Sequence, residues 1–180
     1  SHGWSRDKNI ANKYPNLDPR YIFINSGFNL RPTDIQAAIG NNQLKKLEKF
    51  QKTRIDNRKK IIENLKKNPK WNNQFSFIKV PKKISPSYMV LPIMIKPAYE
   101  KKKIRFINYV ESKGLQTRPI ISGNFINQPS ARLYNLDMNK KFPEADKVQK
   151  LGFVIGLPTK KIDNKSLNFI SKILLTIDTF

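Results

Sequence analysis

A single helical pattern constrains this chain more than any other feature. Between Pro32 and Lys66, apolar residues recur at Ile35, Ala38, Ile39, Leu44, Leu47, Phe50, Ile55, Ile61, Ile62 and Leu65, at spacings mostly of three and four. At about 1.5 Å per residue the run extends roughly 50 Å, longer than a small domain is wide. Such a helix is expected to bridge two bodies, with most of the first body outside this sequence. Pro32 suits a first helical position, and Asp34 suits the positive end of the helix dipole. Gly40-Asn41-Asn42 is the weakest point and the expected place for a kink or break. The segment 35–40 is small and apolar almost all round, as in a helix packed on several sides. Beyond Lys45 the outer face carries Lys45, Lys46, Lys49, Lys52, Arg58, Lys59 and Lys60 and reads as solvated.

Either side of this helix the patterns change. Residues 1–20 are polar and irregular, residues 21–24 form a short apolar run, and residues 26–29 read as a turn. Strands are expected at 75–80, 89–95, 115–121 and 153–155, with Pro92 marking an edge strand or a bulge. Helices are expected at 104–113 with Gly114 as its stop, at 143–151 starting on Pro143, and from 163 to the end, capped by Asp163 or Asn164. A Gly/Asn/Pro-rich loop covers 122–130. Four strands alternating with helices imply a small α/β sandwich with helices on one face of the sheet.

Composition removes several chemistries. The 180 residues contain no Cys, which excludes disulfides and thiolate catalysis within the chain. The single His is His2, which excludes a Ser-His-Asp triad inside the fold and leaves no metal-ligand cluster. No apolar run reaches the roughly 20 residues of a membrane span, so no membrane partner is expected. The net charge is +22, but 27 of the 35 basic residues are Lys, and Asn and Ile are abundant while Gly and Ala are scarce. That bias follows A/T-rich codons. A Lys excess attracts phosphate without reading bases, so no specific nucleic-acid partner is expected; a basic nucleic-acid-binding module is the alternative from another class. The 13 carboxylates are scattered, and no catalytic residue is assigned within these residues. A chain opening Ser1-His2-Gly3-Trp4 is expected to be a fragment or a processed product.

Two loops are more specified than their surroundings. Residues 27–33 offer an amide side chain, Asn29, a guanidinium, Arg31, and the amides of a helix N-terminus, together suited to a phosphate. The competing reading is that Asn29 or Thr33 only caps the helix. Residues 117–124 place Arg118 at a strand end, followed by Gly123-Asn124 in a loop, an arrangement suited to a polar ligand; the competing reading is an ordinary surface Arg before a turn.

The run GFNLRPTDIQAAIGNNQLKKLEKFQKTR, beginning at Gly27, resembles the pyridoxal-phosphate-dependent sugar aminotransferases of the DegT type. SHGWSRD, at the start, resembles that family's segment after its catalytic region, and LQTRPIISGNFINQP, from Leu115, resembles the branch of nucleotide-sugar 3-dehydratases. The resemblance covers essentially the whole chain. It implies the C-terminal part of a fold type I enzyme: residues 1–31 as the tail of a large cofactor domain, 32–66 as a long bridging helix, and 67–180 as a small C-terminal domain, a mainly antiparallel sheet with helices on one face. The implied activity is amine transfer to a nucleotide-linked 4-keto-6-deoxy sugar for cell-surface polysaccharide such as lipopolysaccharide. The alternative within the family is 3-dehydration with the aminated cofactor.

The implied cofactor is pyridoxal phosphate or pyridoxamine phosphate, the implied assembly a cytoplasmic homodimer with shared active sites. Asn29 matches the family's Asn that reaches the partner subunit's cofactor phosphate, and Arg31 supports the same charge. Arg118 and Asn124 match the motif near the nucleotide-sugar site, and His2 and Trp4 fall where the family chain leaves the active-site region. The cofactor lysine, or the His that replaces it in the dehydratase branch, is expected upstream, so this segment alone is expected to be inactive. One departure stands out: Leu157-Pro158 occupies the place where family members often carry a His.

Overall fold

The computed structural model describes residues 4–5, 7–15, 22–25, 27–28, 30–121, 123–128, 131 and 136–180. It divides into two compact units, Ser1–Leu47 and Glu48–Phe180.

In the first unit, β1 (Trp4–Ser5) pairs antiparallel with β2 (Ile22–Phe23), Trp4 opposite Phe23. The short α1 (Lys8–Ala11) is capped by Asp7, whose carboxylate accepts from the Asn9 amide at 2.8 Å. The principal element is α2 (Asp34–Leu44), started by a capping box: Gln36 N–H donates to Thr33 Oγ1 at 3.3 Å, and Thr33 N–H to Gln36 Oε1 at 2.9 Å. None of its residues is buried, and Ile35 and Ile39 stand 74% and 58% exposed. The expectation of a helix packed on several sides is therefore not met by the described residues. The helix also runs unbroken through Gly40. It ends at Leu44, and α3 (Leu47–Lys67) begins after a turn at Lys45–Lys46. A glycine inside a helix costs about 1 kcal/mol relative to Ala but does not by itself break the ladder.

In the second unit, α3 buries Thr53, Asn57, Ile61 and Leu65, one row at a spacing of four. Half of that row is polar, so the apolar stripe alone did not mark it. Arg58 is not on the solvated face as expected. Its guanidinium lies 4.7 Å from the Tyr88 ring centroid and donates to Ile78 O at 2.8 Å, because the 78–88 segment folds over this side of the helix. Lys52 and Lys59 are solvated, in i,i+4 pairs with Glu48 and Glu63.

The sheet is antiparallel throughout, with order β3-β4-β6-β5: β3 (Phe75–Phe77), β4 (Val90–Ile95), β5 (Thr117–Arg118) and β6 (Gly152–Gly156). β4 is thus an inner strand, and Pro92 sits in it opposite Val154. The edge or bulge expected there is corrected by the ladder's alternation. Leu157 N–H bonds Met89 O, and Lys96 N–H bonds Gln74 O, so odd residues of β4 address β6 and even ones address β3. The N–H that Pro92 lacks would point past Phe77, where β3 has already ended.

Leu91, Ile93 and Ile95 face a core shared with Phe153 and Ile155 of β6, Ile61 and Leu65 of α3, Phe106 and Val110 of α4 (Lys103–Ser112), and α6 (Asn164–Leu174). Phe106 is the hub, with ring centroids 6.3 Å from Phe75, 6.1 Å from Phe153 and 6.1 Å from Phe180. Gly114 closes α4 at φ +90°: its N–H bonds Glu111 O, and Leu115 N–H reaches back to Val110 O, the hydrogen-bond pair of a Schellman stop. α5 (Pro143–Leu151) runs straight into β6. On the sheet face away from Phe153, a Cβ on Gly152 would lie 2.5 Å from Val148 O and 2.6 Å from Ile120 Cδ1, so only glycine lets α5 and the 119–121 segment close there.

The C-terminal 3-10 turn, Leu175–Thr179, is tied down by Asp178, which accepts from Gln74 Nε2 at 2.7 Å, from Asn72, and from the Tyr99 hydroxyl. Burial pushes the Asp178 carboxyl up, but the hydrogen bonds from Tyr99, Gln74 and Asn72 and the charge of Lys102 outweigh it and hold the group below its ordinary value. A depressed folded value means stability that is present above the unfolded carboxylate range and lost as pH falls through the folded value. Asp178→Asn is therefore expected to be less stable than the parent at pH 6, with the gap in urea midpoints shrinking below about pH 4. A gap independent of pH would show that Asp178 acts by shape alone.

Candidate functional site

The two loops singled out in the sequence lie in different units. Loop 27–33 leads into α2. Phe28 is 93% and Leu30 82% exposed, and Arg31 is exposed as well. Thr33 has taken the Gln36 amide, and Asp34 sets a carboxylate in the first turn. The capping box therefore takes the Thr33 and Gln36 amides, and the positive charge in this loop is the Arg31 guanidinium. Asn29 and His2 lie outside the described residues. Trp4 is placed by its backbone, in β1 opposite Phe23.

The second loop leaves the outer strand β5. Thr117 is buried, and both its N–H and its hydroxyl donate to Glu111 Oε1, at 3.3 and 2.5 Å, which anchors the strand to α4. Arg118 is exposed and donates to Thr117 O at 3.3 Å. It borders a groove of about 280 Å³ whose other walls include Lys103, Ile107, Asn108 and Phe153. Burial holds the Lys103 amine below its ordinary value, and its Nζ donates to Gln149 O at 3.0 Å. Arg118 and Lys103 bring two cationic donors to this groove and Glu111 a carboxylate, beside Ile107 and Phe153, a composition that suits a polar ligand with an apolar portion.

Asn124 is buried and its amide is committed within the chain. Its Nδ2 donates to Asp146 Oδ1 at 2.7 Å, its Oδ1 accepts from Ile126 N–H at 3.2 Å, and its own N–H donates to Gln149 Oε1 at 2.9 Å. The hydrogen bond from Asn124, joined by Asn127 and Lys150, holds the Asp146 carboxyl below its ordinary value against the opposing effect of burial. Beyond this clasp, Phe125, Ile126, Leu136, Lys140 and Phe142 line a cavity of about 570 Å³. Arg118 and Asn124 thus belong to one strand-and-loop unit. Sequence reading did not single out Asp146, Gln149 or Lys103, because their partners lie dozens of residues away; the spacing of three between Asp146 and Gln149, which puts both on one helix face, was the available signal.

At the position of the family's frequent His, Leu157 is buried in the core and Pro158 O accepts from Asn57 Nδ2 at 3.1 Å, so this segment is a structural seam. Among the described residues no group of three or more His, Cys, Asp or Glu could hold a metal ion, and no helix is long and apolar enough to cross a membrane.

Residues 1–168 match the DegT/DnrJ/EryC1/StrS aminotransferase family. The chain is 25% identical over 164 residues to the GDP-4-keto-6-deoxy-D-mannose 3-dehydratase of Escherichia coli O55:H7, covering 87% of this chain and 40% of that protein. It spans well under half the length of the curated relatives it matches. Among solved structures, the E. coli GDP-4-keto-6-deoxy-D-mannose-3-dehydratase with bound hydrated PLP superposes with a TM-score of 0.74 at 21% identity, over 96% of this chain and 44% of that one. Helicobacter pylori PseC, an aminotransferase of pseudoaminic acid biosynthesis, superposes with a TM-score of 0.72 at 19% identity, over 100% and 44%. At these identities the two structures establish the fold: this chain carries part of a fold type I arrangement.

Proposed function

Because this chain belongs to the DegT/DnrJ/EryC1/StrS aminotransferase family, we propose that it is the C-terminal portion of a pyridoxal-phosphate-dependent aminotransferase acting on a nucleotide-linked 4-keto-6-deoxy sugar. The observation that supports this most directly is the match of family and fold along nearly the whole chain, with Arg31 and Arg118 exposed at the two loops where an anion would be met. The residues present suit a phosphate: Arg31 supplies the charge, and Asn29 is proposed to donate to the same group in a partner subunit. Bound, pyridoxal phosphate supplies the amine carrier and an electron sink for proton movement beside the sugar ketone. Arg118 meets the negative charge of the nucleotide-sugar, and Asn124 shapes the loop beside it. His2 and Trp4 are proposed to contact the substrate as well. In the whole protein, residues 1–31 close a large cofactor domain, 32–66 bridge, and 67–180 form the small domain. Its exposed apolar helix α2 is buried by that large domain and by the second subunit of a cytoplasmic homodimer.

A second reading also has a specific observation behind it: the relative matched over 87% of this chain is a 3-dehydratase. The full-length protein, given pyridoxal phosphate, an amino donor and GDP- or dTDP-linked 4-keto-6-deoxy sugars, separates the two. Mass spectrometry of the sugar product is expected to show a gained amine; a lost hydroxyl at carbon 3 would install the dehydratase reading. The isolated chain mixed with pyridoxal phosphate should give no borohydride-trapped adduct at a single lysine. A stoichiometric, site-specific adduct would put the cofactor lysine within these residues and overturn the proposed division.

A further inference from the structure

The loop that follows Arg118 is fastened to α5 at one spot. Asp146 Oδ1 accepts from Asn124 Nδ2 at 2.7 Å and from Asn127 Nδ2 at 3.2 Å. Gln149 Oε1 accepts from Asn124 N–H at 2.9 Å and from Asn127 Nδ2 at 3.1 Å. Gly123 adopts φ +70°, and a Cβ there would stand 2.8 Å from Gln149 Cγ, so the loop backbone lies directly on that side chain. Two acceptors from α5 thus satisfy four donor contacts from the loop. Asn127 and Gln149 are exposed, and surface polar contacts of this kind contribute little to global stability. Their consequence is local. A Gly/Asn-rich loop loses more backbone freedom than most on ordering, and a loop fixed in advance spares a ligand that cost.

The fastening also sets a position. α5 runs into β6 without a linker, since Leu151 is followed by Gly152, and Arg118 in β5 pairs with Val154 of the same strand. Both the clasp and Arg118 are therefore referred to β6, and the loop cannot shift relative to Arg118 without breaking the clasp.

We infer that Asp146 and Gln149 are positioning residues, which hold the 123–128 loop in register with Arg118 for binding the substrate's polar groups; this rests on the reading of the Arg118 loop as part of the nucleotide-sugar site. Gln149→Leu removes the acceptor and keeps the contact under Gly123, while Gln149→Glu keeps an acceptor oxygen. In the full-length protein loaded with pyridoxal phosphate, hydrogen exchange of the peptide covering 123–128 should speed up at least about tenfold in Gln149→Leu, with the melting temperature within about 3 °C of the parent. With the GDP- or dTDP-linked 4-keto-6-deoxy sugar that the product assay turns over, KM should rise about tenfold while kcat stays within about twofold, and Gln149→Glu should recover most of the loss. Unchanged exchange in Gln149→Leu overturns the inference. So does faster exchange with an unchanged KM. Arg118→Ala, measured alongside, tells the two failures apart: if it raises KM where Gln149→Leu does not, only the positioning role falls; if neither raises KM, the loop is not a substrate site and the reading beneath the inference falls too.

Discussion

Asn57→Ala is expected to lower the stability of this chain by about 3 kcal/mol, which places its thermal midpoint roughly 10 °C below the parent's. Asn57 is fully buried on α3 and makes three long-range hydrogen bonds. Its Nδ2 donates to Pro158 O at 3.1 Å and to Lys160 O at 2.8 Å, and its Oδ1 accepts from Ile162 N–H at 3.1 Å. The bonds supply partners to a segment of backbone that has none from secondary structure, between β6 and α6. Truncation removes the Asn57 bond from all three partners, and each one that water does not reach costs about 1–3 kcal/mol. Arg54 Nε to Leu157 O at 3.1 Å and Asn64 Nδ2 to Ser171 Oγ at 2.8 Å extend the same seam along α3, and they limit how far the segment can relax. Lys59→Ala, on the solvated face of the same helix, is the control and should fall within about 0.5 kcal/mol of the parent. If the two variants melt together, the seam does not hold α3 to the segment between β6 and α6.

If Asn29 holds the cofactor phosphate as proposed, Asn29→Ala in the full-length protein should weaken pyridoxal phosphate binding roughly ten- to a hundredfold, the worth of one hydrogen bond to a charged group, about 1.5–3 kcal/mol. The melt of the cofactor-free protein should not move. Sequence alone left Asn29 and Thr33 as rival caps for the helix. The capping box assigns that work to Thr33, through Gln36 N–H to Thr33 Oγ1 at 3.3 Å and Thr33 N–H to Gln36 Oε1 at 2.9 Å. Thr33→Ala is therefore the mirror experiment: a loss of about 1 kcal/mol in stability with cofactor affinity intact. If Asn29 serves the partner subunit's cofactor, a heterodimer of Asn29→Ala with a variant lacking the cofactor lysine should contain one intact site. An Asn29→Ala protein that melts early and binds the cofactor normally would leave Asn29 a structural role and no part in holding the cofactor.

Local signals in the chain are enough to set most of the elements. Gly114 stops α4, Pro143 starts α5 and Asp163 caps α6, where Ser166 N–H donates to its carboxylate at 2.7 Å. Each depends on backbone torsions or on a partner three residues away, which a linear reading can reach. The motifs at Gly27 and Leu115 likewise carried the family, and with it the fold class, because backbone turns and ligand-facing side chains are local in sequence.

What the tertiary structure alone decided are the long-range polar contacts. The strand read at 115–121 keeps only Thr117–Arg118 although β6 continues opposite it through Phe153 and Gly152: Pro119 has no N–H for the ladder, and the chain turns away as Gly123 N–H bonds Ile120 O. Pro92 is tolerated in an inner strand because β3 stops one residue too soon to need its N–H. Arg58 looked like one more solvated cation and is half-buried against Tyr88, while Asn57, Asp146 and Gln149 looked unremarkable and hold two seams of the second unit. Apolar periodicity reports which face of a helix is buried. It carries no record of which polar side chain will meet a backbone carbonyl a hundred residues away, because that depends on where a different segment, with its own unsatisfied groups, comes to lie once the sheet has formed.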